Sequence, residues 1–154
     1  MKIFQYFYTM ICDYSLRLPE DTFRIKQLVG DAFSLVDKLK MGGNGSPRFI
    51  IEKASEQLAN KLSAFDVTNY SNIELRPNGI IIHFKNNLVH YIWAIPYYKL
   101  SLYNTDYQSF HADGEYISFN KAVLEQKHIT FLGRLQNLRL KYLETHFSAG
   151  PNPM

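Results

Sequence analysis

The stretch from Ile80 to Ile95, "IIIHFK", "NN", "LVHYIWAI", constrains the fold most, because it alternates with period two and is apolar on both phases. Drawn as strands, it puts Ile80, Ile82, Phe84, Tyr91, Trp93 and Ile95 on one face and Ile81, Leu88 and Ile92 on the other. A sheet that is apolar on both faces has to be covered twice, by a core on one side and by helices or a partner chain on the other. Asn86-Asn87 and the "PNG" at 77–79 accept the positive φ of tight turns, so "NIELR", "IIIHFK" and "LVHYIWAI" are expected as three antiparallel strands. Pro96 lacks an N–H and belongs at a strand end or a bulge. "YYKLSLYN" reads as a fourth strand or a kinked continuation of the third, and "QSFHADGEYISFN" as a hairpin about Asp113 and Gly114.

Either side of these strands the apolar period is helical. "PEDTFRIKQLVGDAFSLVDKLKMGG" opens with Pro19 and two acids, carries Phe23, Leu28, Phe33, Leu35, Val36 and Leu39, and ends in lysines and two glycines, the marks of one capped helix. "GGNGSPRFIIEKASEQLANKLSAFD" suggests a second, with Ser46 as N-cap, Pro47 in its first turn, and Ile50, Ile51, Ala54, Leu58, Leu62 and Phe65 as its buried stripe. A third, from Lys121 to His146 with Asn120 as cap, sets Leu124, Phe131, Leu135, Leu138 and Tyr142 on one face. The expected fold is therefore α+β: two N-terminal helices, an antiparallel meander of five or six short strands in a partly open, bent sheet, and a long C-terminal amphipathic helix. One domain is expected over residues 1–147, its helical part at about 19–66 and its sheet with the last helix at about 70–147, followed by a disordered tail at 148–154.

The strand order followed by an amphipathic helix, with "HYIWAIPYYKLSLY" and then "HADGEYISF", resembles the "IPY" strand and following hairpin of bacterial pleckstrin-homology-like (PH-like) domains over about residues 70–147. The resemblance implies a bent, barrel-like sheet plugged by its last helix, seven strands, and a binding or assembly role. Lipid recognition by a basic loop is not implied, since the matching loop is the bare "PNG" with only Arg76 before it.

No sequence signature names a reaction: there is no nucleophile elbow, HExxH, Walker motif, dinucleotide fingerprint or cysteine cluster, and no cofactor is implied. "MGGNGS" follows a helix and lacks the GK[ST] ending, so it reads as a linker. Seventeen Lys and Arg against fourteen Asp and Glu leave a charge of +3, too mild to point to nucleic acid. Cys12 is alone, fits a reducing, cytoplasmic compartment, and reads as a small buried hydrophobe. The opening "MKIFQYFYTMICDYS" carries no small-residue cleavage site and reads as part of the domain.

Two surfaces and one cluster stand out. Trp93, Tyr97 and Tyr98 belong to an aromatic-rich sheet, and Lys99 is the only base between Leu88 and Tyr107, so protein contact is expected there and base stacking is not. Lys127, Arg134 and Lys141 recur every seven residues along the last helix, a solvated edge or a docking stripe for an acidic partner or an anionic membrane surface. The leading expectation is a non-enzymatic binding or assembly module acting through protein–protein contacts, a second copy of the chain included. The alternative is a small-molecule-binding protein or enzyme with a pocket between sheet and C-terminal helix.

The cluster is Glu74, His83 and His90. With Asn86-Asn87 and Asn78-Gly79 as two-residue loops, His83 pairs with His90 and Glu74 with His83, so the three make one row across three strands, about 5 Å apart at Cβ. Such a row serves as a polar patch, as a carboxylate fixing an imidazole tautomer, or as a His-His-Glu metal site.

Overall fold

The computed structural model describes residues 9–64 and 67–147 of the chain. Its eight strands are β1 (Met10–Asp13), β2 (Phe49–Ala54), β3 (Asn69–Leu75), β4 (Gly79–Asn86), β5 (Val89–Pro96), β6 (Ser101–Asn104), β7 (Tyr107–Ala112) and β8 (Glu115–Asn120). They form one antiparallel sheet in the order β1-β5-β4-β3-β2-β8-β7-β6. The helices are α1 (Pro19–Val29), α2 (Leu35–Met41), the single turn α3 (Glu56–Ala59) and α4 (Gln126–His146). The class is α+β as expected, with a long last helix, but the sheet has eight strands instead of five or six.

Of the two extra strands, β1 comes from the opening stretch and β2 from a segment expected to be helical. Residues 49–54 are strand β2, its Phe49 and Ile51 buried and Ile50 half-buried, and only 56–59 are helical. Two partners that are distant in the chain impose the extended form: Phe49 pairs with Ser71 of β3, and Ile51 with Phe119 of β8. Ser46 does not cap a helix. Its Oγ accepts from Ile73 N (2.8 Å) and donates to Pro47 O (2.6 Å), which docks the chain before β2 against β3. Phe65 and the tail at 148–154 lie outside the described residues.

The first expected helix is two. Gly30, at φ 87°, ends α1, and Ser34 restarts the chain as the cap of α2 by accepting from Asp37 N (3.2 Å). The C-terminal helix begins later than expected, at Gln126. Asn120 caps only the 3-10 turn Lys121–Val123, whereas Glu125 and His128 form a reciprocal capping box at the start of α4.

The face assignment of β4 and β5 agrees with the alternation: Ile80, Ile82, Phe84, Trp93 and Ile95 are buried in the main core, with Tyr91 packed against it. Phe110, Ile117 and Phe119 from the other half of the sheet join them, and Phe131 and Leu135 of α4 close the cluster, flanked by Leu124, Leu138 and Tyr142. The sheet curls far enough to bring Thr9, next to β1, onto the β7–β8 turn, where its N–H donates to Asp113 Oδ2 (2.8 Å). Asp113 and Gly114 both take positive φ (51° and 81°), as expected of that hairpin's two-residue turn. On the opposite face, Ile81, Ile92 and Ala94 are covered by Ile25, Leu28 and Val29 of α1. The helix lies close there: a Cβ on Gly79 would run into the Ile95 carbonyl and the Val29 side chain. No helix among the described residues is long and apolar enough to cross a membrane.

Candidate functional site

Beyond the end of α1, the outer face of β3, β4 and β5 turns polar, and there Glu74, His83 and His90 meet. The registers differ from expectation. Asn86 pairs with Val89, so the β4–β5 turn is Asn87-Leu88, and Leu75 pairs with Ile80 while the Arg76 N–H donates to the Gly79 carbonyl (2.9 Å), so the β3–β4 turn is Pro77-Asn78. His83 consequently lies opposite Ile92 and Asn72, not opposite His90 and Glu74. Each register is displaced by two residues, which preserves the face, and the three side chains reach one another diagonally.

The contacts run end to end. Arg76 Nε donates to Glu74 Oε2 (2.6 Å), and its Nη1 donates to the Gly30 carbonyl at the end of α1 (2.8 Å). Glu74 Oε1 lies 3.0 Å from His83 Nε2, and His83 Nδ1 lies 2.9 Å from His90 Nε2. The two imidazoles are stacked with centroids 5.1 Å apart, and Tyr14 packs edge-on against His90. Glu74 is further held by the Gly45–Glu74 bridge in front of β2.

These contacts determine protonation. Burial alone would raise the Glu74 carboxyl, but the hydrogen bonds from His83 and Arg76, together with their charge, hold it down at about 2. Ionised, Glu74 only accepts, so His83 Nε2 carries the proton and neutral His83 offers Nδ1 as an acceptor. His90 Nε2 must then donate, and neutral His90 is left with its lone pair on Nδ1. Burial, followed by the neighbouring His83, Lys85 and Arg17, lowers the His90 pKa and favours that neutral form. The carboxylate thus fixes tautomers through two rings.

A chelate would need the same groups to converge. Both nitrogens of His83 face neighbours in the row, and among the described residues no group of three or more His, Cys, Asp or Glu is placed to hold a metal ion.

The other site residues scatter. Trp93 and Tyr97 are fully buried, Trp93 donating Nε1–H to Thr9 Oγ1 (3.0 Å) and Tyr97 its hydroxyl to Arg76 O (2.9 Å), so neither presents a surface to a partner. Tyr98 is at the surface beside Phe147. Lys127 and Lys141 are exposed, but Arg134 between them folds its Nη1 onto the carbonyls of Met41, Gly42 and Gly43 (3.4, 2.5 and 3.2 Å), clamping the end of α2. The space between sheet and α4 is filled by Phe131, Leu135 and their neighbours, and the grooves of about 770, 490 and 390 Å³ take no residue from α4.

One feature escaped the sequence reading. α2 has no buried residue, and Leu35 (73%), Val36 and Leu39 (74%) stand exposed along it, as does Phe23 on α1. The spacing that suggested burial is met by an apolar ridge facing outward; the glycine break at Gly30 was the available signal. Comparison of the chain with protein-family models, with curated proteins and with solved structures finds no match.

Proposed function

We propose that this chain is a non-enzymatic assembly module on a PH-like scaffold, resident in the cytoplasm, and that it pairs with a second copy of itself through α2. The observation that carries the proposal is the ridge of Leu35, Val36 and Leu39, exposed on a helix that touches its own core through the half-buried Met41 at its last position. An isolated seven-residue helix is unstable in water. Here Ser34 caps its start and the Arg134 clamp holds its end, so its apolar side is presented in a fixed form. The ridge is self-complementary. Asp37 lies in the first turn and Lys38 and Lys40 in the last, so an antiparallel crossing of two copies about a two-fold axis sets each Asp37 against the lysines of the other. The scaffold reading is supported by two consecutive meanders, β2 to β5 and β6 to β8, joined where β8 pairs with β2, before a helix that plugs the core.

Sedimentation velocity tests the pairing. A dimer fraction that grows with concentration is expected, because the area of α2 alone falls short of a permanent interface. The double variant Leu35→Ser, Leu39→Ser should sediment as a monomer with an unchanged circular dichroism spectrum, since neither side chain packs in the core. A wild type that stays monomeric at the highest concentration, or a double variant that still dimerises, overturns the proposal.

A further inference from the structure

Next to the Glu74–His83–His90 row, the outer face carries a half-open groove of about 390 Å³, lined among others by Arg48, Tyr70, Asn72, His83, Lys85 and His90. No carboxylate lines it. Glu74, the acid behind the row, is committed to Arg76 and His83. Arg48 lies over the ring of Tyr70 (4.4 Å to the centroid), and among the described residues neither it nor Lys85 makes an ion pair. The Arg48 guanidinium therefore holds unused N–H donors, in the planar fork that suits an oxyanion.

From this lining and from the hydrogen-bonded row we infer that the groove binds an oxyanion, the phosphoryl or sulfuryl group of a small ligand, between Arg48, Lys85 and His90, and that binding takes up one proton on His90. The tautomer chain requires the coupling. Neutral His90 donates Nε2–H to His83 and presents a lone pair at Nδ1, which repels an anion. Protonated at Nδ1, the same ring gains a second donor and a positive charge, while its bond to His83, and that of His83 to Glu74, stay as they are. The groups around His90 act in both directions: Arg17, Lys85 and His83 oppose its charge, and Asp13 favours it. Asp13 Oδ1 is occupied by the Ser15 N–H (2.9 Å). A bound anion offsets the opposing charges of Arg17 and Lys85, so anion and proton bind together.

Titration calorimetry with sodium sulfate tests this, since sulfate keeps its full charge across the histidine range. Affinity is expected to tighten roughly 3- to 10-fold from about pH 7.5 to about pH 6.5, with close to one proton taken up per sulfate, read from the dependence of the heat on buffer ionisation. His90→Gln should flatten the pH profile. Arg48→Gln and Lys85→Gln, at exposed positions, should weaken binding at every pH, Arg48→Gln by tenfold or more, and leave the slope intact. Binding that does not change with pH, that survives Arg48→Gln and Lys85→Gln unchanged, or that is absent up to high millimolar sulfate overturns the inference. Two further arms identify the source of the group. Competition by glycerol phosphate assigns a soluble ligand, and co-flotation with phosphatidate-containing vesicles, lost in Arg48→Gln, assigns a lipid headgroup; each supports the site.

Discussion

The two faces of β3, β4 and β5 are made from alternate residues of the same strands, yet they are closed in different ways. The inner face is apolar over Ile73, Leu75, Ile80, Ile82, Phe84, Trp93 and Ile95, with Ser71 buried opposite Phe84, and is sealed by the other half of the sheet and by α4. The outer face is apolar only where α1 lies on it, at Ile81, Ile92 and Ala94, and polar where α1 stops, at Glu74, His83 and His90. The limit is physical. α1 ends at Gly30, and Arg76 reaches that same Gly30 carbonyl while holding Glu74, so one guanidinium marks the boundary between covered and open sheet. Strand residues under a lid are selected for volume, whereas those beyond it have water for a neighbour and are free to carry charge.

Truncation should rank the two faces. Trp93→Ala removes the largest side chain of the inner core together with its bond to Thr9, and a loss of about 3–5 kcal/mol in urea-monitored stability is expected. Ile92→Ala, on the outer face under α1, should lose less, about 2–3 kcal/mol, because a single helix settles into the gap more readily than a closed core does. Equal losses at the two positions would show that α1 is packed as firmly as the core, and protease susceptibility within 19–29 would then stay unchanged in Ile92→Ala.

The uncovered part of the outer face should declare itself through pH. The carboxyl of Glu74 sits near 2 in the fold, against about 4.3 in an unfolded chain, so its contribution is complete above the unfolded value and disappears as pH falls through the folded one. His90 acts with the same sign from a higher window. Its lowered folded pKa means that the unfolded chain takes up a proton first, so stability declines as pH drops below about 6.5. Denaturation midpoints measured from about pH 7 to about pH 2 should show both steps, roughly 2–3 kcal/mol in the acid one, and Glu74→Gln should remove that acid step. Leu88→Ser should do least. The side chain is 96% exposed in the β4–β5 turn, and a change within about 0.5 kcal/mol is expected despite the loss of a large apolar group.

Leu88 also shows why the registers were hard to read. An apolar residue next to Asn86-Asn87 invites extension of the strand, but only Asn87 takes a positive φ (57°), and the turn is Asn87-Leu88. The turn at Pro77-Asn78, one residue earlier than Asn78-Gly79, hid a second shift of the same size. Neither shift moved a residue to the wrong face, because side chains alternate with period two, and so the Glu74–His83–His90 row was legible although its pairing was not. The last helix and the Asp113-Gly114 turn were legible for a different reason: their signals are local. β2 was not. Ile50, Ala54, Leu58 and Leu62 satisfy a helical spacing, and what makes 49–54 a strand is pairing with Ser71 and Phe119, far along the chain. The mid-chain break in the first helix was signalled by Gly30 alone, and with it went the recognition that α2 faces outward.

Strand β1 carries a consequence for the order of synthesis. Among the described residues its only sheet partner is β5, where Met10 pairs with Ala94, roughly 80 residues later in the chain. At ribosomal rates of about 5–20 residues per second, β1 waits some 4–16 s for that partner to emerge. During this interval its backbone donors and acceptors have no sheet to join, and once β5 appears its free edge attracts any strand within reach. A nascent-chain-binding chaperone would find its target here, on the first few residues of the described fold, and would let go when residue 94 clears the tunnel.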